Sequence, residues 1–190
     1  MILFNNNITF QISRTYCDPE GCFIICDKTT KGKQLTLVNL YAPNDDDPNF
    51  FTSVSEHLAD FQCDEVIIGG DYNLVLNVEK DKKGGLAKTH KKSLEVLNKF
   101  SEELDVVDVW RVQNPESQRF TWRQIRNWEI NCRLDFFLVN KNILCNAINT
   151  DIVPGYKTDH SMISLQISLH HNPWGRGFWK LNTSFLQDEE

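Results

Sequence analysis

The chain has 190 residues, 41% of them hydrophobic: enough apolar material for one substantial core and too little chain for two average domains. Its formal net charge of -6 excludes nucleic-acid binding by bulk positive charge and leaves only a local basic face for that purpose. No stretch approaches the ~20 apolar residues of a membrane span, and residues 1–11 lack the pattern of a signal peptide, so a soluble intracellular protein without a membrane partner is expected.

Residues 8–12, 22–27, 35–41 and 65–69 read as strands, being short, rich in Ile, Val, Leu and Phe, and bounded by Gly, Asn, Asp or Pro. Between the last two lies a helix capped by Asp47 with Pro48 in its first turn; Phe51, Val54, Leu58 and Phe61 recur at helical spacing. A second helix over residues 90–104 sets Leu94, Leu97 and Leu104 near one stripe, with Val96 and Phe100 alongside. Residues 120–123, 132–139, 150–153 and 162–168 supply further strands, with a helical turn over 141–147. Strands with intervening helices predict a layered α/β sandwich, in which loops at the strand ends gather side chains distant in sequence.

The six cysteines, Cys17, Cys22, Cys26, Cys63, Cys132 and Cys145, show no paired CxxC spacing, so reduced, partly buried thiols are expected rather than a zinc site. Basic residues fall in two stretches: lysines at 80, 82, 83, 88, 91 and 92, and arginines at 119, 123, 126 and 133. The pattern fits either solvated surface or a local nucleic-acid face.

Four segments carry candidate chemistry. In Val66-Ile67-Ile68-Gly69-Gly70-Asp71-Tyr72-Asn73 an apolar strand runs into two glycines, then an acid and an amide two residues apart, which extended backbone would point the same way. The same residues also make good turn chemistry. Thr158-Asp159-His160-Ser161 precedes an alternating strand, and reads either as reactive groups or as a turn Asp beside a surface His. Arg133-Leu134-Asp135 alternates inside a strand, so Arg133 and Asp135 would share a face, as an ion pair or with the carboxylate orienting His160. Val38-Asn39-Leu40-Tyr41-Ala42-Pro43-Asn44 places Asn39 and Tyr41 on one face of a strand that ends at a proline.

NLYAPN, IIGGDYN, RLDFFLV and TDHSMI, in that order and spacing, resemble the signatures of the exonuclease-endonuclease-phosphatase superfamily. Within it, Asp18-Pro19-Glu20-Gly21, the short spacing and the trailing Gly177-Phe178-Trp179-Lys180-Leu181-Asn182 resemble endonuclease domains of LINE-type non-LTR retrotransposons. The resemblance implies that residues 1–169 form an endonuclease/exonuclease/phosphatase-like domain, and that 170–190 is a tail leading toward a reverse transcriptase region. It further implies metal-dependent hydrolysis of DNA phosphodiesters by water. In that reaction His160 is the polarising or basic residue, Asp135 holds its imidazole, Asp71 orients or activates the water, and Asn73 donates to phosphate or water. Tyr41 would contact phosphate, Asp159 would lie near one Mg²⁺ or Mn²⁺, and Asn39 would support the site. Arg133, Arg123 and Arg126 would touch the nucleic-acid backbone. Action on DNA would place the protein in the nucleus.

Members of the superfamily begin with a strand carrying an Asn and a second strand ending in Gln-Glu, whose Glu is the principal metal ligand. Neither is found here, so the expectation is a domain lacking its first strands, with an unpaired sheet edge that promotes association and with weak metal binding. Two other readings stay open: a non-catalytic remnant or nucleic-acid-binding module, and a phosphatase of the same superfamily. The short connection from Trp122 to Cys132, with its Arg, Asn and Trp residues, resembles a hairpin that probes a DNA groove more than a loop specific for another substrate.

Overall fold

The computed structural model describes residues 1–7, 9–30, 32–61, 65–85, 90–125 and 129–169. Arg126, Cys63, Lys88 and the 170–190 tail lie outside them. The chain opens with β1 (Gln11–Cys17), β2 (Phe23–Thr30) and β3 (Lys33–Tyr41), an antiparallel meander. The first strand therefore falls later than the expected 8–12. Most of its side chains are exposed and polar, because it forms the sheet edge, so apolar alternation does not mark it.

Helix α1 (Pro48–Ala59) follows, with Asp47 accepting from the Asn49 N–H at 3.0 Å and Phe50, Phe51, Val54 and Leu58 buried. It returns the chain to β4 (Val66–Asp71), which lies parallel to β3. The short α2 (Val78–Asp81) and β5 (Lys82–Lys83) come next, then α3 (Lys91–Glu103), which buries Ser93, Leu97 and Phe100. No local side chain caps α3; the carboxylate of Asp46, 47 residues away from Ser93, accepts from the Ser93 N–H at 2.8 Å. β6 (Val106–Asp108) and α4 (Val109–Gln113) lead to β7 (Trp122–Arg123), β8 (Asn131–Cys132) and β9 (Asp135–Asn140). α5 (Lys141–Asn146), β10 (Ala147–Val153) and β11 (Met162–Ile167) complete the described elements.

Six strands form one sheet in the order β1-β2-β3-β4-β9-β6. Because side chains alternate across a strand, each face has its own core. On one face Ile25, Val38, Leu40, Ile68, Phe136 and Leu138 pack with residues of α1 and α3. On the other, Leu35, Val139, Ile67 and Phe137 meet Ile143 of α5 and Leu165 and Ile167 of β11. The β10-β11 pair is the second layer, and the molecule is the expected layered α/β sandwich. Among the described residues β11 pairs only with β10, and none of their helices is long and apolar enough to cross a membrane.

The strand expected over 132–139 is two strands in two sheets. β8 pairs with β5 and β7, β9 with β4 and β6, and the chain changes sheet at Arg133 and Leu134. Arg133 therefore does not alternate with Asp135 on a single strand.

Candidate active site

The register of the large sheet builds the site. Tyr41, the last residue of β3, is opposite Asp71, the last of β4; Asp71 is opposite Asp135, the first of the antiparallel β9. Three neighbouring strand ends thus put a tyrosine and two carboxylates in one row. Gly70 makes the approach possible. It adopts φ 149°, and a Cβ there would lie 1.9 Å from the carbonyl oxygen of Leu40.

His160 reaches this row from the segment before β11. The segment is held by Trp122, with which His160 forms an isolated antiparallel bridge, and by the Ser161 N–H donating to the Thr121 carbonyl at 2.6 Å. His160 Nδ1 lies 3.0 Å from Asp135 Oδ2, and Nε2 lies 3.9 Å from Asp71 Oδ2. One donor atom from each of Asp71, Asp135 and His160 falls within a 4.8 Å cluster. Burial pushes the Asp71 carboxyl up to about 6, helped by the Asp135 and Asp159 charges and opposed by the Asn73 N–H and His160. Burial raises Asp135 too, against hydrogen bonds from Thr121 and His160.

Asn73 sits beside this row for a different reason than strand alternation. Its backbone is left-handed at φ 49°, its N–H donates to Asp71 Oδ1 at 2.9 Å, and its Nδ2 donates to the Ala42 carbonyl at 2.6 Å. This is an Asx turn that aims Asp71, so the turn chemistry of the motif and its place at the site coincide. Asp159 is outside the 4.8 Å cluster, but its Oδ2 accepts from Trp122 Nε1 at 3.1 Å. Tyr41, Asp71, Asn73, Trp122, Asp159 and His160 all line one cavity of about 490 Å³. Asn39 is half-buried one pleat behind Tyr41, opposite Gly69.

The expected nucleic-acid role of Arg133 is corrected by its surroundings. The residue is 1% exposed, and its Nε and Nη2 donate to both carboxylate oxygens of Asp81 at 2.7 and 3.0 Å. Nη2 also donates to Asp108 at 2.6 Å. A guanidinium so enclosed cannot meet a phosphate; it fastens the chain where it crosses between sheets. Arg123 is exposed on β7, next to the cavity wall, and Arg126 lies outside the described residues.

Thr121 belongs to none of the four candidate segments. It is fully buried, and its hydroxyl oxygen accepts from the N–H groups of Leu134 and Asp135 at 2.9 and 3.0 Å. Nothing in the local sequence distinguishes this threonine, so only the segment it holds reveals its part.

The donor set of aspartate oxygens and one imidazole suits a hard divalent cation. Such an ion would be held by Asp71 and Asp135 with His160, whose Nε2 lies 3.9 Å from Asp71, whereas Asp159, the expected ligand, is not part of that cluster.

No protein-family model matches the chain. It is 32% identical over 162 residues to the Transposon TX1 uncharacterized 149 kDa protein of Xenopus laevis, a match that covers 83% of this chain and 12% of that protein. The chain thus spans about an eighth of the length of this relative. In structure it is similar to the 3' phosphatase NExo from Neisseria, solved bound to a product DNA hairpin, with a TM-score of 0.66 and 17% identity over 83% of this chain and 72% of that one. It is likewise similar to the endonuclease domain of TRAS1, a telomere-specific non-LTR retrotransposon, with a TM-score of 0.65 and 17% identity over 88% of this chain and 72% of that one. In sequence the chain is related to a transposon protein, and it has the layered α/β fold of these phosphatase and endonuclease domains.

Proposed function

We propose that the chain is a phosphodiester hydrolase domain that nicks DNA. The observation that carries this reading is the hydrogen-bonded His160-Asp135 pair facing the raised carboxyl of Asp71 across the ends of three neighbouring strands. The relationship to a transposon protein and the endonuclease and DNA-bound neighbours support it.

In the proposed reaction Asp71, clustered with Asp135 and His160, takes the proton of the attacking water. Water oxygen bonds to phosphorus as the bond to the leaving sugar oxygen breaks, and that oxygen takes a proton from solvent to leave as a hydroxyl. Asp135 fixes the proton of His160 on Nδ1, which leaves Nε2 directed into the site toward the phosphate. Tyr41 and the one Asn73 Nδ2 hydrogen not given to the Ala42 carbonyl stand on the cavity wall to hold phosphate oxygens. A bound Mg²⁺ or Mn²⁺ would neutralise charge on the phosphate. The proposed domain covers residues 1–169, and its proposed place of action is the nucleus.

The test is relaxation of supercoiled plasmid by purified protein with Mg²⁺, beside His160→Ala. Nicking that disappears in the folded variant supports the reading. A folded, native protein that retains DNA without nicking is a binding module, and one that does neither is a remnant without this function. A second reading, removal of a 3' phosphate from DNA, is favoured by the neighbour of that activity; release of inorganic phosphate from a 3'-phosphorylated oligonucleotide measures it.

A further inference from the structure

Asp159 stands between two opposite electrostatic surroundings. On one side it lines the cavity of about 490 Å³ shared with Asp71 and His160; on the other it lines a groove of about 560 Å³ shared with Arg123 and Lys157. A carboxylate so placed is repelled by Asp71 and Asp135, the acidic members of the cluster, and attracted by the two cations of the groove. Charge alone would turn it away from the cluster.

One residue opposes that turn. Trp122 Nε1 donates to Asp159 Oδ2 at 3.1 Å. An indole N–H can only donate, so the partner it is built to meet is an acceptor such as a carboxylate oxygen. Trp122 is itself fixed at both edges: it pairs with Cys132 of β8 on one side and forms the antiparallel bridge to His160 on the other. Flanking that bridge, the Arg123 N–H donates to the Asp159 carbonyl at 2.9 Å and the Ser161 N–H to the Thr121 carbonyl at 2.6 Å. The short strand β7 therefore holds Asp159 by main chain and by side chain at once.

Held in this way, the Asp159 charge is felt within the cluster. Burial raises the Asp71 carboxyl most, and the charges of Asp135 and then Asp159 add to the rise. The same negative charge that opposes ionisation of Asp71 favours a cation beside it.

We propose that Trp122 is a positioning residue of this site: its indole N–H keeps the Asp159 carboxylate beside the Asp71, Asp135 and His160 cluster and thereby sets the affinity of that cluster for a divalent cation. The proposal rests on the metal-dependent reading of the cluster. Without the N–H, Asp159 turns toward Arg123 and Lys157, and the cluster loses a negative charge from its surroundings. Partners that orient acidic groups around a metal site in this way weigh on its affinity although they never touch the ion.

The test is Mn²⁺ binding to the full chain, read from the electron paramagnetic resonance signal of the free ion, in the native protein, Trp122→Phe, Asp159→Ala and the double variant. Trp122→Phe keeps an aromatic ring and deletes the donor; it is expected to weaken Mn²⁺ binding about 10-fold, and Asp159→Ala about 10- to 100-fold. In the Asp159→Ala background Trp122→Phe is expected to add no further loss, because the carboxylate it holds is gone. Trp122→Leu, which also lacks the donor, carries the same expectation. Saturating Mn²⁺ is expected to restore the nicking rate of Trp122→Phe, a recovery that neither lost packing nor a lost DNA contact would show. Unchanged Mn²⁺ affinity in Trp122→Phe, or an equal loss with and without Asp159, would overturn the proposal; native Mn²⁺ binding and His160-dependent nicking would then leave the phosphodiester reading standing. A native protein that neither binds Mn²⁺ nor nicks plasmid ends both.

Discussion

Thr121 holds Asp135 by the backbone: one buried hydroxyl oxygen accepts from the N–H groups of Leu134 and Asp135, while the Thr121 carbonyl accepts from Ser161, next to His160. A single residue thus joins the two strands that bring the carboxylate and the imidazole together. Thr121→Val keeps the shape and deletes the acceptor, leaving two buried N–H groups without it. The expected loss is about 1–3 kcal/mol of stability, with nicking reduced further than stability explains. Thr121→Ser, which keeps the oxygen, is expected to recover most of both. Urea unfolding and plasmid nicking, measured on the same preparations, check this.

Asp135→Asn asks what the carboxylate does for His160. The amide is nearly isosteric, so the fold is expected to persist, but its NH₂ can turn toward Nδ1 and favour the wrong tautomer. Nicking is expected to fall by about 10²- to 10⁴-fold with little change in DNA affinity. A variant as active as the native protein would remove Asp135 from the mechanism.

The buried carboxyl of Asp71 makes stability depend on pH. Its folded value of about 6 lies above the ordinary 3.8, so the folded state holds the proton more tightly than the unfolded chain. This contribution is fully present below the unfolded value and is lost as pH rises through the window from about 4 to about 6. Asp135, shifted in the same direction, adds to it. Without divalent cation, the unfolding temperature is expected to fall across that window, and Asp71→Asn to flatten the fall. Because a hard cation binds the ionised carboxylate, millimolar Mg²⁺ is expected to raise the unfolding temperature more at pH 7 than at pH 5. Scans at both values, with Mg²⁺ and with EDTA, decide it.

Much of this arrangement is legible in the sequence where local rules dominate. The Asp47 cap, Pro48 and the helical spacing of Phe51, Val54 and Leu58 define α1, and apolar runs mark β3 and β4 with Tyr41 and Asp71 at their ends. Legibility fails where a partner distant in sequence decides. The polar edge strand β1 is set by pairing with β2, and the N-terminal cap of α3 comes from Asp46. Arg133 and Asp135 alternate in sequence, yet the chain between them passes from one sheet to the other, because β8 pairs with β5 and β7 while β9 pairs with β4 and β6.

That crossing supplies a sharp test of how the site is held. Among the described residues Arg133 is the largest fully buried side chain, and it meets Asp81 with two hydrogen bonds; Asp81, itself 1% exposed, also accepts from Arg111 Nη2 at 2.5 Å. Arg133→Met removes the cation but leaves the carboxylates of Asp81 and Asp108 inside, and is expected to cost about 3–5 kcal/mol. Lysine keeps a charge but not the planar fork, so Arg133→Lys is expected to recover only part of the loss. If desolvated charge is the cause, Asp81→Asn added to Arg133→Met restores stability relative to Arg133→Met alone. If the pair acts only through lost packing, the double variant is no more stable than the single. The coupling energy from a double-mutant cycle, read by urea unfolding, separates the two cases.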